Sequence, residues 1–454
     1  MSFELKISNA LSFLILFINS YTSYCQGQTE SSKPNILLIV SDDQGYHDVS
    51  YYGTSDIKTP HIDKISAMGI RFDNFYANSP VCSPTRASIM TGLYPDHAGV
   101  PGVIRTNSLN SWGSLRTDIN ILPAELNDLG YNTALIGKWH LGIDTPNTPN
   151  ERGFKFFHGW LGDMMDDYWN HLRHGINYMR RNKQTISVAG HATDLFTQWS
   201  VDYIKSQQKN DKPFFLYLAY NAPHFPVQPP KKYLDKVLSR EKKIDSTRAK
   251  LVAFIEHMDK GIGDVLKALE DTNQLNNTLI IFTSDNGGHN PSLANNGPYR
   301  DGKQSVYEGG LRVPTVISWK NTIKKNQTSN KTLMSADLFP TILEIAGSKK
   351  QIEIDGVSFT DELFSPSVNS QNDRTMYFIR REGGKKYGGK TINAIRKGNW
   401  KLLQNNPQEK YELYDLKSDP FEQINLIDAK PEVFNEMNQI LMRQIQIGGK
   451  IPWQ

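Results

Sequence analysis

Four short runs of apolar residues stand out along the chain because polar residues follow each of them directly. They are Pro34 to Val40, Asn132 to Gly137, Pro213 to Tyr220 and Thr278 to Thr283. Apolar runs of this length are typical of strands that are buried on both faces of a parallel sheet, and helical stretches lie between them. The pattern predicts an α/β fold with a large, mostly parallel sheet flanked by helices.

The polar residues that follow these runs are candidates for a functional site. They are Asp42 and Asp43, then Lys138 and His140, then His224, and finally Asp285 and Asn286. A single Asp after a strand is most often a helix cap or a turn residue. Because the carboxyl ends of parallel strands meet at one edge of the sheet, where ligands bind, four such endings together indicate a site.

The residue types at this edge indicate which ligands it would bind. Asp42-Asp43 and Asp285-Asn286 offer oxygen atoms only, which suits calcium or magnesium rather than zinc. Calcium fits better, because its larger and more flexible shell tolerates mixed carboxylate and amide ligands. Lys138 and His140 are two residues apart, so on an extended strand end they would point to the same side and could bind one anion. A cation beside these groups predicts a site for a tetrahedral oxyanion.

The second half of the chain predicts a smaller C-terminal unit. The large domain should cover residues 34–347, and a looser stretch rich in Ser, Asn and Lys follows it. Residues 373–454 then predict an α+β subdomain with an antiparallel sheet. Its candidate elements are the strands Thr391 to Arg396 and Trp400 to Gln404 and a helix from Pro431 to Gln446.

Length and charge are consistent with this organisation. A chain of 454 residues suits one large domain and a smaller one. Lys and Arg number 51 against 47 Asp and Glu, which gives a net charge of +4 without any long run of like charges. This balance argues against nucleic acid as a partner.

The first 25 residues have the pattern of a secretory signal peptide. Lys6 precedes the apolar run from Leu11 to Ile18, and the small residues Ser23 and Cys25 stand where a signal peptidase would cut. The run is shorter than the roughly 20 residues that a membrane-spanning helix needs, and the bulky Tyr24 disfavours lipid attachment to Cys25. We therefore expect an exported protein, periplasmic or secreted, without a stable membrane anchor.

Loss of that segment would leave Cys82 as the only cysteine, although exported proteins usually pair their cysteines. A buried thiol that packs as a small hydrophobe is one explanation. The neighbouring residues favour another, because Pro84 suits the first turn of a helix and Gly92 its end. Cys82 would then lie at a helix N-terminus, which favours an anion, with Arg86 one turn along on the same face.

The segment Cys82-Ser83-Pro84-Thr85-Arg86, followed by Ala87 to Gly92, resembles the signature of the type I, formylglycine-dependent sulfatases of the alkaline-phosphatase-like superfamily. The resemblance extends from Pro34 to Phe339. Further motifs that carry it are Asp42-Asp43-Gln44-Gly45, Thr59-Pro60-His61-Ile62-Asp63, Gly137-Lys138-Trp139-His140-Leu141-Gly142, Pro223-His224-Phe225-Pro226, Ser284-Asp285-Asn286-Gly287, Gly302-Lys303 and Tyr307-Glu308-Gly309-Gly310.

The resemblance implies that a formylglycine-generating maturation enzyme oxidises Cys82 to formylglycine (3-oxoalanine). One hydroxyl of the hydrated aldehyde would attack sulfur, and the other would then expel sulfate, which avoids a stable sulfate ester on the enzyme. The same resemblance implies a role for each motif residue. One calcium ion would bind Asp42, Asp43, Asp285, Asn286 and the modified Cys82; Arg86 and Lys138 would support the aldehyde hydrate; His140 would assist hemiacetal collapse; Lys303 and His224 would hold the sulfate, with His224 donating to the leaving alkoxide.

A carbohydrate substrate is predicted from the segment between Lys138 and His224, where aromatic and charged residues cluster. Aromatic faces can stack on sugar rings, and Arg or His can pair with a second sulfate or a uronate, although such aromatics also occur in cores. The candidates are Trp160, Asp163, Tyr168, Trp169, His171, Arg173, His174, Tyr178, Arg180 and Arg181. The family implies sulfated polysaccharides such as glycosaminoglycans, or algal ulvans, carrageenans and fucoidans.

Two other functions stay open at this point. A phosphodiesterase or phosphonate monoester hydrolase of the same superfamily would bind phosphate with the same cation, Arg, Lys and His. Such relatives would not need the Cys82 motif, and zinc-dependent ones would show more His ligands. A non-catalytic protein that binds sulfated glycans is the second alternative, and the complete set of motif residues argues against it.

Overall fold

The computed structural model describes residues 33–366, 374–382 and 391–452. The predicted signal peptide lies outside these residues, so that expectation stays a prediction. The strands of the described residues, numbered in chain order, are β1 Asn35–Ser41, β2 Ile70–Phe72, β3 Phe75–Tyr76, β4 Asn132–Lys138, β5 Phe156–Trp160, β6 Leu172–Arg173, β7 Ile176–Asn177, β8 Met179–Arg181, β9 Gln184–Thr185, β10 Phe214–Ala219, β11 Thr278–Ser284, β12 Thr315–Trp319, β13 Gln327–Ser329, β14 Leu333–Met334, β15 Thr375–Arg381, β16 Thr391–Lys397, β17 Trp400–Gln404 and β18 Glu412–Asp415.

The helices lie between these strands and after the last of them. In chain order the α-helices of the described residues are α1 Pro60–Ala67, α2 Cys82–Thr91, α3 Leu122–Asp128, α4 Ala192–Gln207, α5 Lys231–Arg240, α6 Ser246–Asp271, α7 Glu308–Leu311, α8 Leu338–Ile345, α9 Thr360–Phe364 and α10 Pro431–Gly448. Within the described ranges, none of them combines the length and the apolar character that crossing a membrane requires.

Ten strands form the central sheet in the order β13-β2-β12-β11-β1-β10-β4-β5-β8-β9. The five middle strands, from β11 to β5, all run parallel, and antiparallel pairs occur only toward the two edges. Each of the four apolar runs forms one of the middle strands, and every residue of β1, β10 and β11 is buried. The predicted α/β fold with a mostly parallel sheet is confirmed.

Helix α2 follows the prediction made from Pro84 and Gly92. It begins at Cys82 after an extended Val81 and stops at Gly92, which has a left-handed φ of 71°. A residue with a side chain is strained at such a φ, so glycine suits the helix end. All ten residues of α2 are buried, and the helix packs against α3 and α8.

A second, separate sheet lies toward the C-terminus, and the predicted antiparallel arrangement is confirmed. Its strands pair in the order β15-β16-β17-β18, each antiparallel to the next. Helix α10 packs on β16 and β17 through an apolar face that includes Met437 and Leu441. Residues that precede the small sheet in the chain, such as Tyr76 of β3 and Leu311 of α7, belong to the same hydrophobic cluster.

A buried lysine joins this small sheet to helix α7. Lys401 of β17 forms ion pairs of 2.8 Å with Glu308 and with Glu422, and all three side chains are fully buried. Removing one member of a buried ion pair leaves an uncompensated charge in a medium of low dielectric. We therefore expect Lys401→Met to lower the free energy of unfolding by about 3–5 kcal/mol. The matched control is Lys231→Met, because Lys231 is 85% exposed and its pair with Asp235 contributes little.

The pH dependence of the stability lost in Lys401→Met shows whether the loss comes from the missing charge or from altered packing. Burial raises the pKa of Glu422 to about 7, and Lys401 opposes the rise. Without Lys401 the pKa of Glu422 in the folded protein rises further, whereas in the unfolded chain the group ionises near pH 4. The folded protein then keeps a proton that the unfolded chain releases, so stability falls as the pH increases over that interval. Denaturant unfolding should show a larger loss at pH 8 than at pH 5, and an equal loss at both would contradict the ionic account.

Candidate active site

The strand ends converge on Cys82 at the start of α2, as the topology predicts. The Cys82 thiol donates to Asp42 Oδ1 at 3.3 Å, and Lys138 Nζ donates to Asp42 Oδ2 at 2.6 Å. Arg86 reaches Asp285 Oδ2 with Nε at 2.8 Å and Nη2 at 2.7 Å. Each of these five side chains is at most 3% exposed, so four ionisable groups and the thiol share one buried site.

A second set of groups lies beside the first. Lys303 Nζ donates to Asp43 Oδ2 at 2.7 Å and contacts His224 Nε2 at 3.0 Å. The His224 ring is also 3.6 Å from Asp43 Oδ2. Cys82 Sγ lies 3.9 Å from Asp43 Oδ1, so this second set adjoins the nucleophile candidate. The structure therefore brings all the predicted catalytic residues of these two sets together, and their roles stay predictions.

His140 corrects one detail of the sequence argument. Strand β4 ends at Lys138, and His140 adopts a left-handed φ of 62° rather than the extended backbone that was assumed. The same-side placement expected of two residues two apart on a strand therefore does not apply, and His140 Nε2 contacts the Ile104 carbonyl at 2.8 Å. Nδ1 is buried and has no hydrogen-bond partner among the described residues. His140 nevertheless lines the cavity that contains Cys82.

Burial and the neighbouring charges set the protonation of the carboxyl groups. Burial acts to raise the pKa of Asp42, but Lys138 and the other nearby cations outweigh it and hold that pKa below its usual value. Lys303 has the same effect on the pKa of Asp43. For Asp285, burial and the charge of Asp42 prevail and raise the pKa to about 7. Two of the three carboxyl groups are thus firmly ionised.

The thiol and the two histidines are neutral in this environment. Burial and the charge of Asp285 raise the pKa of Cys82 well above its usual value, so an unmodified thiol here would be a poor nucleophile. Burial and Lys303 lower the pKa of His224 to about 4. Its Nδ1 contacts the Phe225 carbonyl at 2.6 Å, which assigns the proton to Nδ1 and leaves Nε2 to accept from Lys303. The predicted proton donor His224 therefore holds no proton at Nε2 in this arrangement.

The donor set fits a hard cation. Ligand atoms of Asp42, Asp43, Cys82 and His224 all lie within 4.8 Å of one another. Asn286 Nδ2 donates to Asp43 Oδ1 at 2.9 Å, and Asn286 Oδ1 is buried without a hydrogen-bond partner among the described residues. An orphaned buried oxygen beside two ionised carboxylates is what a bound cation would satisfy. His224 was not among the predicted metal ligands, yet its ligand atom lies within the same group.

Cys82 lies in a cavity of about 340 Å³. Six of the predicted site residues line it, namely Cys82, His140, Asp163, His174, His224 and Lys303. Arg173, also among the candidate substrate contacts, lines it too, whereas Arg105, Phe225, Gln304 and Arg380 line it without having been predicted as site residues. Gln304 follows Lys303 directly and could have been found from that motif. No comparable sequence signal marks Arg105, in a loop, or Arg380, in strand β15 of the small sheet.

Three of the residues that were predicted to contact the substrate have side chains that are buried in the protein. Trp160, Tyr168 and His171 are at most 2% exposed. The Tyr168 hydroxyl contacts the carbonyl oxygens of Asn221 at 2.6 Å and His224 at 3.0 Å, and His171 Nε2 contacts the Gly190 carbonyl. Tyr168 thus supports the segment that carries His224, and all three rings lie in the protein interior rather than at the cavity surface. Their aromatic character therefore misled the prediction.

Arg180 and Arg181 also lie away from the Cys82 cavity. Arg180 donates to the carbonyl oxygens of Asn177 and Met179 and lines a different cavity. Arg181 lines a third one beside Trp199. Strand β8, which carries both arginines, pairs antiparallel with β5 near one edge of the large sheet. The prediction that they contact the substrate gains no support.

Comparisons with known proteins identify relatives of this chain. A family model described as Sulfatase matches residues 34–348, and one described as N-sulphoglucosamine sulphohydrolase, C-terminal, matches residues 299–447. Arylsulfatase J of Mus musculus is 32% identical over 404 residues, which cover 84% of this chain and 66% of the relative. N-acetylgalactosamine-6-sulfatase of Homo sapiens is 32% identical over 370 residues, which cover 76% and 68%. The chain thus spans about two thirds of the length of these relatives.

Solved structures show the same fold. Ps i-CgsB in complex with k-i-k-neocarrahexaose has a TM-score of 0.83 and 30% identity, and the match covers 92% of this chain and 94% of that one. A protein in complex with its substrate D-glucosamine-2-N,6-O-disulfate has a TM-score of 0.74 at 23% identity, over 92% of this chain and 98% of that one. The second likeness concerns the fold alone.

Proposed function

The chain belongs to the sulfatase family of the alkaline-phosphatase-like superfamily, whose members are sulfuric ester hydrolases, and on that premise we propose that it hydrolyses sulfate esters of a carbohydrate with a formylglycine derived from Cys82. The observation that carries the proposal is the position of Cys82. It begins a buried helix at the bottom of a cavity, within 3.3 Å of Asp42 and beside a cluster of cations. An unmodified thiol with a raised pKa does not suit this place, whereas an oxygen nucleophile does.

Formylglycine, once formed, supplies a hydrate with one hydroxyl that attacks sulfur and a second whose loss of a proton releases sulfate. His140 suits the second proton transfer. Its Nε2 contacts the Ile104 carbonyl and so carries the proton, which leaves the buried Nδ1 with a lone pair. Burial and Lys138 lower the pKa of His140 well below its usual value, so the ring is neutral and Nδ1 can accept a hydrogen bond from the second hydroxyl as that group loses its proton.

Lys303 and His224 together can supply the proton that the leaving oxygen needs. Lys303 is protonated in this arrangement. Burial acts to lower the pKa of Lys303, but the charge of Asp43 outweighs burial and holds that pKa above its usual value. Lys303 can donate directly, or through His224 Nε2, which accepts from it at 3.0 Å. This assignment shifts the expected role of His224 from sole donor to the partner that orients or relays the proton of Lys303.

We propose calcium as the cation, held by Asp42, Asp43, Asp285, Asn286 and the modified Cys82. The ligand set is rich in oxygen, which suits a hard cation. When bound, the ion supplies Lewis acidity at the sulfate oxygens and offsets their charge. The two ionised aspartates, Asp42 and Asp43, would balance the charge of a divalent cation. Asn286 Oδ1 is a buried acceptor without a hydrogen-bond donor among the described residues.

A sulfated polysaccharide or its oligosaccharides is the substrate class that the relatives favour. N-acetylgalactosamine-6-sulfatase is among the similar proteins, and Ps i-CgsB was solved with k-i-k-neocarrahexaose bound. Glycosaminoglycans and algal polysaccharides such as carrageenan or ulvan are therefore the first substrates to test. Export to the periplasm or beyond, together with maturation at Cys82 by a formylglycine-generating enzyme, would suit this use.

The test is sulfate release by protein that has been produced together with a formylglycine-generating enzyme. A panel of sulfated mono-, oligo- and polysaccharides should include at least one substrate whose kcat/KM exceeds that of a phosphodiester or a phosphonate monoester by about 100-fold or more. Chelation should abolish turnover, and calcium should restore it. Zinc-dependent hydrolysis of the phosphodiester without sulfate release would favour the phosphodiesterase alternative, and glycan binding without any turnover would favour the non-catalytic one.

A further inference from the structure

A second cavity, of about 660 Å³, lies away from Cys82, and the proposed reaction does not use it. Asn132 and Phe156, the first residues of β4 and β5, are among the residues that line it. Strand β4 runs from Asn132 to Lys138, which belongs to the Cys82 cluster, so the cavity and that cluster are separated by about 20 Å along the strand. A ligand bound here would therefore not contact the reacting groups.

Aromatic rings form one wall of this second cavity. His158 of β5 stacks on Trp199 of α4, with ring centroids 3.4 Å apart and an angle of 10° between the rings. Phe156 stacks on Tyr203 at 5.7 Å and 14°. Residues two apart on a strand share a face, and residues four apart on a helix are one turn apart, so the two stacked pairs are neighbours. An aromatic wall of this kind is a suitable surface for sugar rings.

Polar groups of the same wall have no partner within the described part of the chain. The Trp199 indole N–H, the His158 ring nitrogens and the Arg181 guanidinium form no hydrogen bond or ion pair there. Burial and Arg181 lower the pKa of His158 to about 4, so the ring is neutral and can both donate and accept a hydrogen bond. Arg181 lies opposite His158 in the pairing of β5 with β8. These groups are therefore available to the hydroxyls and anionic groups of a ligand.

The charged residues of the cavity favour an anionic ligand. Lys155 and Arg181 are cations, and Asp202 is the one carboxylate among the described residues that line the cavity. Lys155 Nζ donates to the Tyr131 carbonyl at 2.7 Å, and neither cation forms an ion pair with any described residue. Burial and the charge of Lys212 lower the pKa of Lys155, so a third cation lies close by. The positive charge complements a saccharide that carries sulfate groups.

We propose that this second cavity binds another segment of the sulfated polysaccharide, away from the ester that is hydrolysed, and so holds the polymer on the enzyme. The aromatic wall contacts sugar rings, and Arg181 and Lys155 bind sulfate groups of that segment. Arg181 thus acts in a different cavity from the one at which the sequence predicted it. The inference rests on the proposed function for the identity of the polymer. A chain held at one site has a raised effective concentration at the other, so the polymer should bind more tightly than a short oligosaccharide.

Affinity electrophoresis of Cys82→Ala protein tests this binding without hydrolysis. The gels contain carrageenan, ulvan or chondroitin sulfate, or the chemically desulfated form of each. We expect at least one sulfated polymer to retard the protein, with an affinity about 10-fold or more above that of its desulfated form. Arg181→Gln and Trp199→Ala, each added to Cys82→Ala, should weaken that affinity about 10-fold. Arg180→Gln is the matched control, because this neighbouring arginine lines another cavity.

Kinetics of the matured enzyme gives a second readout. Arg181→Gln should raise KM for the polymer about 10-fold at an unchanged kcat. It should leave kcat/KM unchanged for the shortest sulfated oligosaccharide that is turned over, because contacts remote from the reacting ester affect only substrates that reach them. A merely structural role would change both substrates alike. Arg181 is exposed, so this variant serves if Trp199→Ala does not fold, and thermal unfolding reports which variants are intact.

The outcomes separate the inference from the proposed function. Unchanged retardation in both variants, equal retardation by sulfated and desulfated polymers, or no retardation by any of them would overturn the inference while sulfate release still stood. Retardation that depends on Arg181 and Trp199 would support the second cavity even if no substrate released sulfate. In that case the proposed function alone would fail, and glycan binding without catalysis would be favoured.

Discussion

Replacement of Cys82 by alanine is expected to abolish sulfate release, with a fall in kcat of at least about 10⁴-fold, because enzymes with covalent nucleophiles lose this much or more when that residue is removed. The protein should still fold. Cys82 is a small residue at the start of α2, so its truncation should change the free energy of unfolding by less than about 2 kcal/mol. Steady-state kinetics with matched denaturation curves measures both effects.

Cys82→Ser is the informative companion variant. A serine hydroxyl could attack sulfur once, but it has no second hydroxyl to expel sulfate, so the enzyme would be left as a stable sulfate ester. We expect at most a single turnover, with sulfate retained on the protein and visible as a mass increase. Multiple turnovers by either Cys82 variant, beyond a few per cent of the parent rate, would show that Cys82 is not the nucleophile.

Asp42→Asn is expected to give the second-largest loss. The Asp42 carboxylate accepts from Lys138 at 2.6 Å and from the Cys82 thiol at 3.3 Å. Its amide replacement keeps the shape but removes a charge that balances both the lysine and the proposed calcium ion. Because a bound cation is worth several kcal/mol to the transition state, kcat/KM should fall about 10³-fold or more. Calcium titration of thermal stability should also show weaker binding.

Asp337→Asn is the matched control for that change. Asp337 is also fully buried and forms an ion pair of 2.6 Å, in its case with Arg374, outside the Asp42 cluster. We expect it to lower stability without altering the calcium dependence of either stability or activity. If Asp42→Asn bound calcium as tightly as the parent, the proposed ligand set would be wrong.

The sequence predicts most of the fold and the centre of the site because the relevant signals are local. Strands such as β1 and β11 are buried on both faces, so they appear as unbroken apolar runs, and their ends carry Asp42 and Asp285 directly. The start and end of α2 follow from Pro84 and Gly92 in the same way. Extrapolation failed at His140, where the chain leaves the strand and reverses the sign of φ.

The rest of the cavity depends on contacts between distant parts of the chain. Arg105 and Glu382 are 277 positions apart, and nothing near either residue indicates the other. The aromatic residues that were predicted to contact the substrate are of the types that also fill hydrophobic cores. Trp160 and Tyr168 belong to the hydrophobic core of this protein. The sequence pattern clearly distinguishes buried strands from surface segments. It does not show which charged side chains the fold brings into one cavity.

The most direct test of the account is peptide mass spectrometry of Cys82 in protein that releases sulfate. We expect formylglycine at this position, which has oxygen in place of sulfur and two fewer hydrogens than cysteine. We also expect the activity of different preparations to rise in proportion to the fraction of Cys82 that is converted. Full activity from protein whose Cys82 remains an unmodified thiol would contradict the central claim.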